Sequence, residues 1–285
     1  MDPIQILNYI IIGASAFITY RGLQDQSFFQ RYAFHVDPIL IGKDYIRLIS
    51  SGFLHNGWWH LLFNMYALYV FGDFLGLFRV PIWYYLILFL GSMLGGKALA
   101  LYVHRNHGSY QSTGASGAVS GIVFAAVALY PGMMIWFVIP GWLFAILFTL
   151  VSIYGIRSQR GNIGHESHLG GAIAGTLLAV LWNPAIIQQH PLVLAGILLP
   201  TAIFLYLIIS RPEILYLPMK RPSGFRVPTM RPTKPKRAPR EAVIKPLVSP
   251  QDEIDALLDK GLENLSAKEK KRLETLSRQL NQGDS

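Results

Sequence analysis

The chain has 285 residues, of which 52% are hydrophobic and only 14% are charged. This composition is too apolar for an ordinary soluble domain and predicts a protein of the lipid bilayer. The formal net charge is +9 and there is no cysteine, which excludes disulfide and thiol chemistry.

Seven apolar segments follow one another, most of them near the length of about 20 residues that crosses the hydrocarbon layer. We therefore predict seven membrane spans at 4–20, 58–78, 82–103, 117–131, 133–154, 168–182 and 190–210. The first segment lacks the basic N-terminal residues of a cleaved signal peptide, so we expect it to remain as a helix. Residues 21–57 form a long aromatic-rich connection, which predicts a loop resting in the membrane interface.

Glycines recur four positions apart in several predicted spans. The pairs are Gly91 and Gly95, Gly117 and Gly121, and Gly171 and Gly175. Small residues at this spacing let two helix backbones approach closely in a membrane. We predict that the fourth and sixth spans pack along these glycines, which would bring together the polar residues at their starts.

Ser116 opens the fourth predicted span, within the small-residue run Gly114–Gly117. A serine at a helix start lies near free backbone N–H groups and the positive end of the helix dipole, where an oxyanion can be held. The structural alternative is an N-cap or a packing motif, since such runs are frequent in membrane helices. The motif alone does not decide between them.

His168 stands at the start of the sixth predicted span. It shares a helix face with Gly171 and Gly175, so we expect its side chain to point where a neighbouring helix comes closest. A histidine there can serve as a base, because both of its protonation states are accessible near neutral pH. The alternative is a hydrogen-bonded interfacial residue. His165, one turn earlier, is expected to lie in water.

His60 and Asn64 lie four residues apart in the second span. They therefore project from one helix face and offer two hydrogen-bond donors toward a shared point. An interhelical hydrogen bond is the structural alternative. His55 and Arg47 precede them in the long connection, where an arginine is usually a solvated or headgroup-facing charge.

A metal site is the competing interpretation of the histidines His55, His60, His165 and His168. The zinc protease motif needs histidines four residues apart with glutamate after the first. His165 and His168 are three apart, and no third ligand motif accompanies them. We expect neither a metal nor another cofactor.

The C-terminal part of the chain has a different composition. Residues 211–250 hold ten Lys and Arg against two Asp and Glu and are rich in proline, which predicts an extended linker that lies against anionic lipid headgroups. No aromatic interleaving or binding module accompanies this charge, so nucleic-acid binding is not expected. Residues 251–285 show spaced leucines and a capping-box spacing at Ser266 and Glu269, which predicts a small helical segment for docking or regulation.

Taken together, these motifs resemble the rhomboid family of intramembrane serine proteases. The resemblance rests on Tyr45–Arg47 followed by His55, His60 and Asn64, then Gly114–Gly117, then His168–Gly171 with Gly175. It implies an all-α polytopic membrane protein with a six-helix catalytic core. We assign this core to 1–183, an additional transmembrane helix to 184–210, the basic linker to 211–250 and the helical tail to 251–285.

The resemblance also implies a role for each residue. Ser116 would attack the scissile carbonyl and His168 would act as its base, in a dyad without a third acid. His60, Asn64 and the Ser116 N–H would stabilise the oxyanion. Structural support is expected from His55, Arg47, Gly114, Gly117, Gly171 and Gly175.

Two positions depart from the family pattern. Ile46 stands where the family has tryptophan, before Arg47. Ser120 stands four residues after Ser116, where some members have an aromatic residue. The second departure puts in doubt any stacking of an aromatic ring on His168.

The function implied is an intramembrane serine endopeptidase that cuts single-span membrane proteins in or near their transmembrane segments. We expect it in a bacterial inner membrane, with the site on the extracytoplasmic face, although the distribution of Lys and Arg favours the opposite orientation. One alternative is a catalytically silent rhomboid-like protein that binds client helices. A transporter or channel would be expected to show internal repeats or charges deep within several spans.

Overall fold

The structure is a computed structural model that describes residues 2–135, 137–158 and 164–211, together with Leu215, Ser266, Lys270 and Leu273. The chain divides into two compact units, Met1–Lys220 and Arg221–Ser285. In the second unit, the Lys270 N–H donates to the Ser266 carbonyl oxygen at 3.0 Å, as in one turn of helix. The predicted basic linker and helical tail otherwise lie outside the described residues, and the proposed domain limits stay predictions.

The first unit is built almost entirely from helices, which confirms the predicted polytopic helical fold. In chain order its elements are α1 (Pro3–Gln24), α2 (Gln26–Tyr32), β1 (Phe34–His35), α3 (Val36–Leu40), α4 (Arg47–Phe53), α5 (Trp58–Leu77), α6 (Ile82–Val103), β2 (Gln111–Ser112), α7 (Ser116–Leu129), β3 (Met134–Ile135), β4 (Ile139–Pro140), α8 (Gly141–Ser158), α9 (His165–Trp182), α10 (Ile186–Gln189) and α11 (Pro191–Ser210). The strands form two short antiparallel pairs, β1 with β2 and β3 with β4.

Five of the described helices are long and apolar enough to cross a membrane, namely α1, α5, α6, α8 and α11. The two remaining helices at predicted span positions are α7, which has only 14 residues, and α9, which opens with the polar run His165–His168. Helices therefore stand at every predicted span position, but the count of seven spans stays a prediction.

Two predicted segments have a different structure. The fifth span was expected to begin at residue 133, whereas α8 begins at Gly141 and residues 134–140 hold the β3–β4 pair. A continuous apolar run cannot distinguish helix from strand by periodicity, which explains the error. The long connection after α1 is a packed structure of short helices, in which Phe34, Val36 and Ile39 are fully buried.

The glycines hold α6, α7 and α9 backbone to backbone, as predicted for the fourth and sixth spans. A Cβ atom on Gly171 would overlap the Gly117 carbonyl, and one on Gly175 would overlap Gly121. A Cβ on Gly96 would lie 2.5 Å from the Ser167 carbonyl oxygen. The α7–α9 contacts advance in the same direction along both helices, so the two helices run parallel and their N-termini lie side by side.

The helix α7 is enclosed by its neighbours. Every residue from Gly117 to Ala128 is buried, whereas α1, α5, α8 and α11 each expose several large apolar side chains. A helix that is apolar all round belongs in the centre of a bundle. Ser116, at the start of this central helix, is therefore held in place by the packing of the helix that follows it.

Candidate active site

Ser116 follows a turn that only glycine can form. Gly114 has a φ of +114°, and a Cβ there would lie 2.7 Å from Cε1 of the His60 ring, so both the backbone conformation and the space exclude a larger residue. The Gly114 N–H donates to the Ser51 carbonyl oxygen at 2.9 Å. No side chain caps the start of α7, and the first N–H groups of a helix have no partner within it. They can therefore serve an oxyanion.

His55 supports this turn from the protein interior. Its ring is fully buried, Nε2 accepts the Ala115 N–H at 3.3 Å, and Nδ1 lies 3.2 Å from Thr19 Oγ1. Because Nε2 is an acceptor, Nδ1 carries the proton and donates to Thr19, whose hydroxyl donates in turn to the Phe53 carbonyl oxygen at 3.4 Å. Burial lowers the pKa of His55 to about 3, so the ring is neutral, as this pattern requires.

Arg47 joins the short helices of the long connection. Its Nε lies 2.7 Å from the Asp44 carboxylate, and its Nη1 donates to the carbonyl oxygens of Gln30 at 2.7 Å and Ala33 at 2.8 Å. The guanidinium is largely buried. These contacts fit the structural role expected for Arg47 and do not fit a solvated loop charge.

His60 and Asn64 lie on the side of α5 that faces the Gly114 turn. The His60 ring is half-buried, with Nδ1 at 2.8 Å from Asn56 Oδ1 and Nε2 directed to Gly114. The buried Asn64 donates one of its two Nδ2 hydrogens to the His60 carbonyl oxygen at 2.8 Å. The second Nδ2 hydrogen stays available to a ligand.

His168 lies in the first turn of α9 and is half-buried. Phe148 of α8 has its ring centroid 6.0 Å from the His168 ring, at an interplanar angle of 35°. An aromatic neighbour is thus present, but it comes from α8 and not from position 120. His165 was expected to lie in water and is instead half-buried against Gly155.

One cavity of about 1150 Å³ contains the candidate residues Ser116, His168, His60 and Asn64 in its wall. Asn56, Tyr110, Ser120 and Glu166 also line it. In the described parts of the chain, no hydrogen bond joins Ser116 to His168. Catalytic hydrogen bonds are often long or absent without substrate and form in the complex.

A buried polar cluster beside this cavity was not predicted from the sequence. Glu166 is 5% exposed, accepts a hydrogen bond from the Tyr110 hydroxyl and lies 3.2 Å from His104 Nε2. The His104 and Tyr110 rings stack at 3.5 Å. Burial raises the pKa of Tyr110, so its hydroxyl stays a donor. The cluster connects the segment before α7 to the start of α9.

Lys97 is a further buried charge. It is 2% exposed, and its Nζ lies 5.3 Å from the centre of the Phe34 ring. The sequence around a lysine in an apolar segment does not indicate whether its ammonium group reaches water, because the answer depends on which loop packs over it. Here β1 covers it.

The comparison with protein families agrees with this helical fold. A Rhomboid domain matches residues 42–184, which is about half of the chain and includes each residue of the candidate site. The chain therefore belongs to the rhomboid family.

Named relatives agree with this assignment. The chain is 28% identical over 196 residues to RHOMBOID-like protein 12, mitochondrial, of Arabidopsis thaliana, which covers 62% of this chain and 57% of that protein. It is 29% identical over 175 residues to Rhomboid protein 1, mitochondrial, of Saccharomyces cerevisiae, covering 57% and 49%. An uncharacterized protein of Mycobacterium tuberculosis is 31% identical over 147 residues, covering 47% and 58%. The chain thus spans about half the length of the curated relatives it matches.

The structure and the relatives establish the location of the protein only in part. Several apolar helices make the chain a multi-pass membrane protein. The names of two relatives place those proteins in mitochondria, so the expected location in a bacterial inner membrane is not supported.

Proposed function

We propose that this chain is an intramembrane serine endopeptidase in which Ser116 is the nucleophile and His168 is its base. The observation that carries the proposal is the shared cavity. Ser116 at the start of α7, His168 at the start of α9, and His60 and Asn64 on α5 all line it. Four polar groups inside an apolar bundle are costly to maintain and mark a functional site by default.

The chemistry follows from the roles that these groups can take. Ser116 Oγ attacks the scissile carbonyl carbon while His168 accepts its proton, and His168 then gives that proton to the leaving amine. Water attacks the acyl-enzyme in a second step with the same base. The Ser116 N–H and Asn64 Nδ2 stabilise the tetrahedral oxyanion, and each such donor is worth about 10²–10³ in rate. His60 Nε2 is a further donor once the Asn56 amide turns so that its Nδ2 donates to His60 Nδ1, which leaves the ring proton on Nε2.

The substrate class follows from where the cavity lies. Ser116 begins a helix that is enclosed by other apolar helices of the bundle, so we infer that the peptide bond that reaches it belongs to a chain already in the bilayer. We propose single-span membrane proteins, cut in or near their transmembrane segments after local unwinding of the helix.

The test is cleavage of tagged single-span substrates in liposomes, together with labelling by a serine-reactive fluorophosphonate. Wild type is expected to cut and to label, and Ser116→Ala is expected to lose both. His168→Ala is expected to lose at least about 10³ in rate, as in other serine hydrolases. Ser120→Ala is the matched control, because Ser120 lies one helical turn from Ser116 and lines the same cavity.

A second candidate is a catalytically silent protein that binds client helices. The missing hydrogen bond between Ser116 and His168 in the described residues is the observation that favours it. A folded wild type that binds single-span clients but neither labels nor cuts them would establish this alternative and exclude the protease.

Asn56 offers a test of the oxyanion assignment. Its contact with Nδ1 fixes the rotation of the His60 ring, so Asn56→Ala is expected to lower kcat by less than the factor of about 100 that loss of a whole donor costs, with KM unchanged. In the His60→Ala background the same substitution should have no further effect, because the group it positions is gone. An equal loss in both backgrounds would show that Asn56 acts through the fold and not through His60.

A further inference from the structure

The connection between α7 and α8 contains the paired strands β3 and β4, and its described residues 133–135 and 137–140 are here called the 133–140 hairpin. The Gly141 N–H donates to the Met133 carbonyl oxygen at 2.7 Å, and the Val138 N–H donates to the Ile135 carbonyl oxygen at 3.1 Å. At its tip, Phe137 is 96% exposed and Val138 is 74% exposed. The hairpin thus holds large apolar side chains away from the rest of the protein.

These side chains do not suit a turn in water. Phe137 has a φ of +59°, a conformation that is disfavoured for a bulky residue and is normally left to glycine or asparagine. Residues 130–141 contain no charged residue, whereas connections on an aqueous surface are usually polar. In water, both the strained backbone of Phe137 and its exposed apolar ring would be unfavourable, and no contact among the described residues would compensate for them.

The length of α7 places the hairpin at membrane depth. Its 14 residues extend about 21 Å at 1.5 Å per residue, less than the hydrocarbon thickness of about 30 Å. Because Ser116 begins this helix, the hairpin lies at the opposite end from the candidate site, and the distance along α7 between them is less than the hydrocarbon thickness.

Aromatic residues surround the bundle at this same end. The Phe78 and Tyr130 rings stack at 3.6 Å, and the Tyr84 and Trp182 rings stack at 4.5 Å. Belts of tryptophan and tyrosine are typical of the membrane–water interface. Trp142, exposed in the first turn of α8, continues the apolar surface of the hairpin onto the lipid-facing side of that helix.

We propose that the tip of the 133–140 hairpin inserts into the boundary between lipid headgroups and acyl chains, on the side of the membrane away from the candidate site. The occupant of this surface is lipid. The paired strands satisfy backbone groups that lipid cannot, which is why a hairpin and not an open loop suits this depth. The inference is independent of the proposed protease activity.

The absence of cysteine allows a direct measurement. A nitroxide attached to Phe137→Cys in the full chain, reconstituted in phosphatidylcholine liposomes, reports collisions with oxygen, which concentrates in lipid, and with a nickel chelate, which stays in water. Two single-cysteine controls bracket the result. Leu199→Cys on the exposed side of α11 is the lipid reference, and Gln189→Cys in α10 is an exposed polar reference at the same end of the bundle.

We expect the ratio of oxygen to nickel collisions at position 137 to approach that at position 199 and to exceed that at position 189. A ratio equal to that at 189 would place the hairpin in water and overturn the proposal. Low collision rates with both reagents would mean that protein covers the tip, a second copy or a client, and would overturn it equally. Phe137 has almost no packing to lose, so the substitution leaves the fold intact for the measurement.

Discussion

Gly171→Ala is expected to abolish cleavage and to destabilise the protein. The added Cβ would occupy the space of the Gly117 carbonyl, and backbone cannot move aside as a flexible side chain can. Overpacking in a close-packed interior costs about 1–3 kcal/mol, and we expect this substitution at or above the upper limit. Separation of α7 from α9 would also move Ser116 from His168, and a displacement of about 1 Å costs roughly 10² in rate.

The measurements are thermal unfolding in detergent and substrate cleavage in liposomes. Gly13→Ala is the matched control, because Gly13 is also a helical glycine but has nothing within 4 Å of the added Cβ. The control should stabilise α1 by about 0.5–1 kcal/mol through the higher helix propensity of alanine. If Gly171→Ala kept the wild-type Tm and activity, the backbone contact between α7 and α9 would not be a requirement of the site.

His55→Ala is expected to produce the second large loss. It leaves the buried Ala115 N–H without its partner, which costs about 1–3 kcal/mol. The Thr19 hydroxyl loses one hydrogen bond but keeps those to the Phe53 carbonyl oxygen and the residue 55 backbone N–H. We expect the free energy of unfolding to fall by about 1–3 kcal/mol from this unpaired N–H, with loss of cleavage because the turn before Ser116 is released. His55→Gln can still accept from the Ala115 N–H and should recover part of both.

A pH series separates this role from a general packing defect. The pKa of His55 is lowered to about 3 in the folded protein, against about 6.5 in an unfolded chain. Below pH 6.5 the unfolded state therefore takes up a proton that the folded state does not, and stability falls by up to about 1.4 kcal/mol per pH unit. His55→Gln should lack this contribution. His35→Ala removes a ring whose pKa is also lowered by burial, so it should lose only its own contribution and retain that of His55. An unchanged pH slope in His55→Gln would mean that His55 is not held neutral.

The parts of this fold that local spacing determines could be predicted from the sequence. Glycines four residues apart predicted the contact of α7 with α9, since such spacing places small residues on one helix face whatever surrounds them. The start of α8 could not be predicted, because residues 133–154 are apolar without interruption and carry no period. The two-residue strands could not be predicted either, because a segment of two residues is too short to show a period.

The contacts that support the candidate site could not be predicted from the sequence. Tyr110 reaches Glu166 across 56 residues of chain, and Phe148 approaches His168 from a helix that no motif connects to it. Such contacts depend on which helices are neighbours and on how a loop is folded. Glu166 gave a partial signal, as a carboxylate at the mouth of a span, but nothing identified its partners.

Because of the hydrogen bond between His55 and Thr19, the segment that must fold together is longer than the segment that matches the Rhomboid domain. The Rhomboid match begins at residue 42, yet Thr19 Oγ1 in α1 accepts hydrogen bonds from both the His55 Nδ1–H and the His55 backbone N–H, each at 3.2 Å. A fragment cut at the limits of the family match would keep Ser116, His168, His60 and Asn64. It would lose the residue that fixes the histidine behind them, so the smallest competent piece of this chain includes its N-terminal helix.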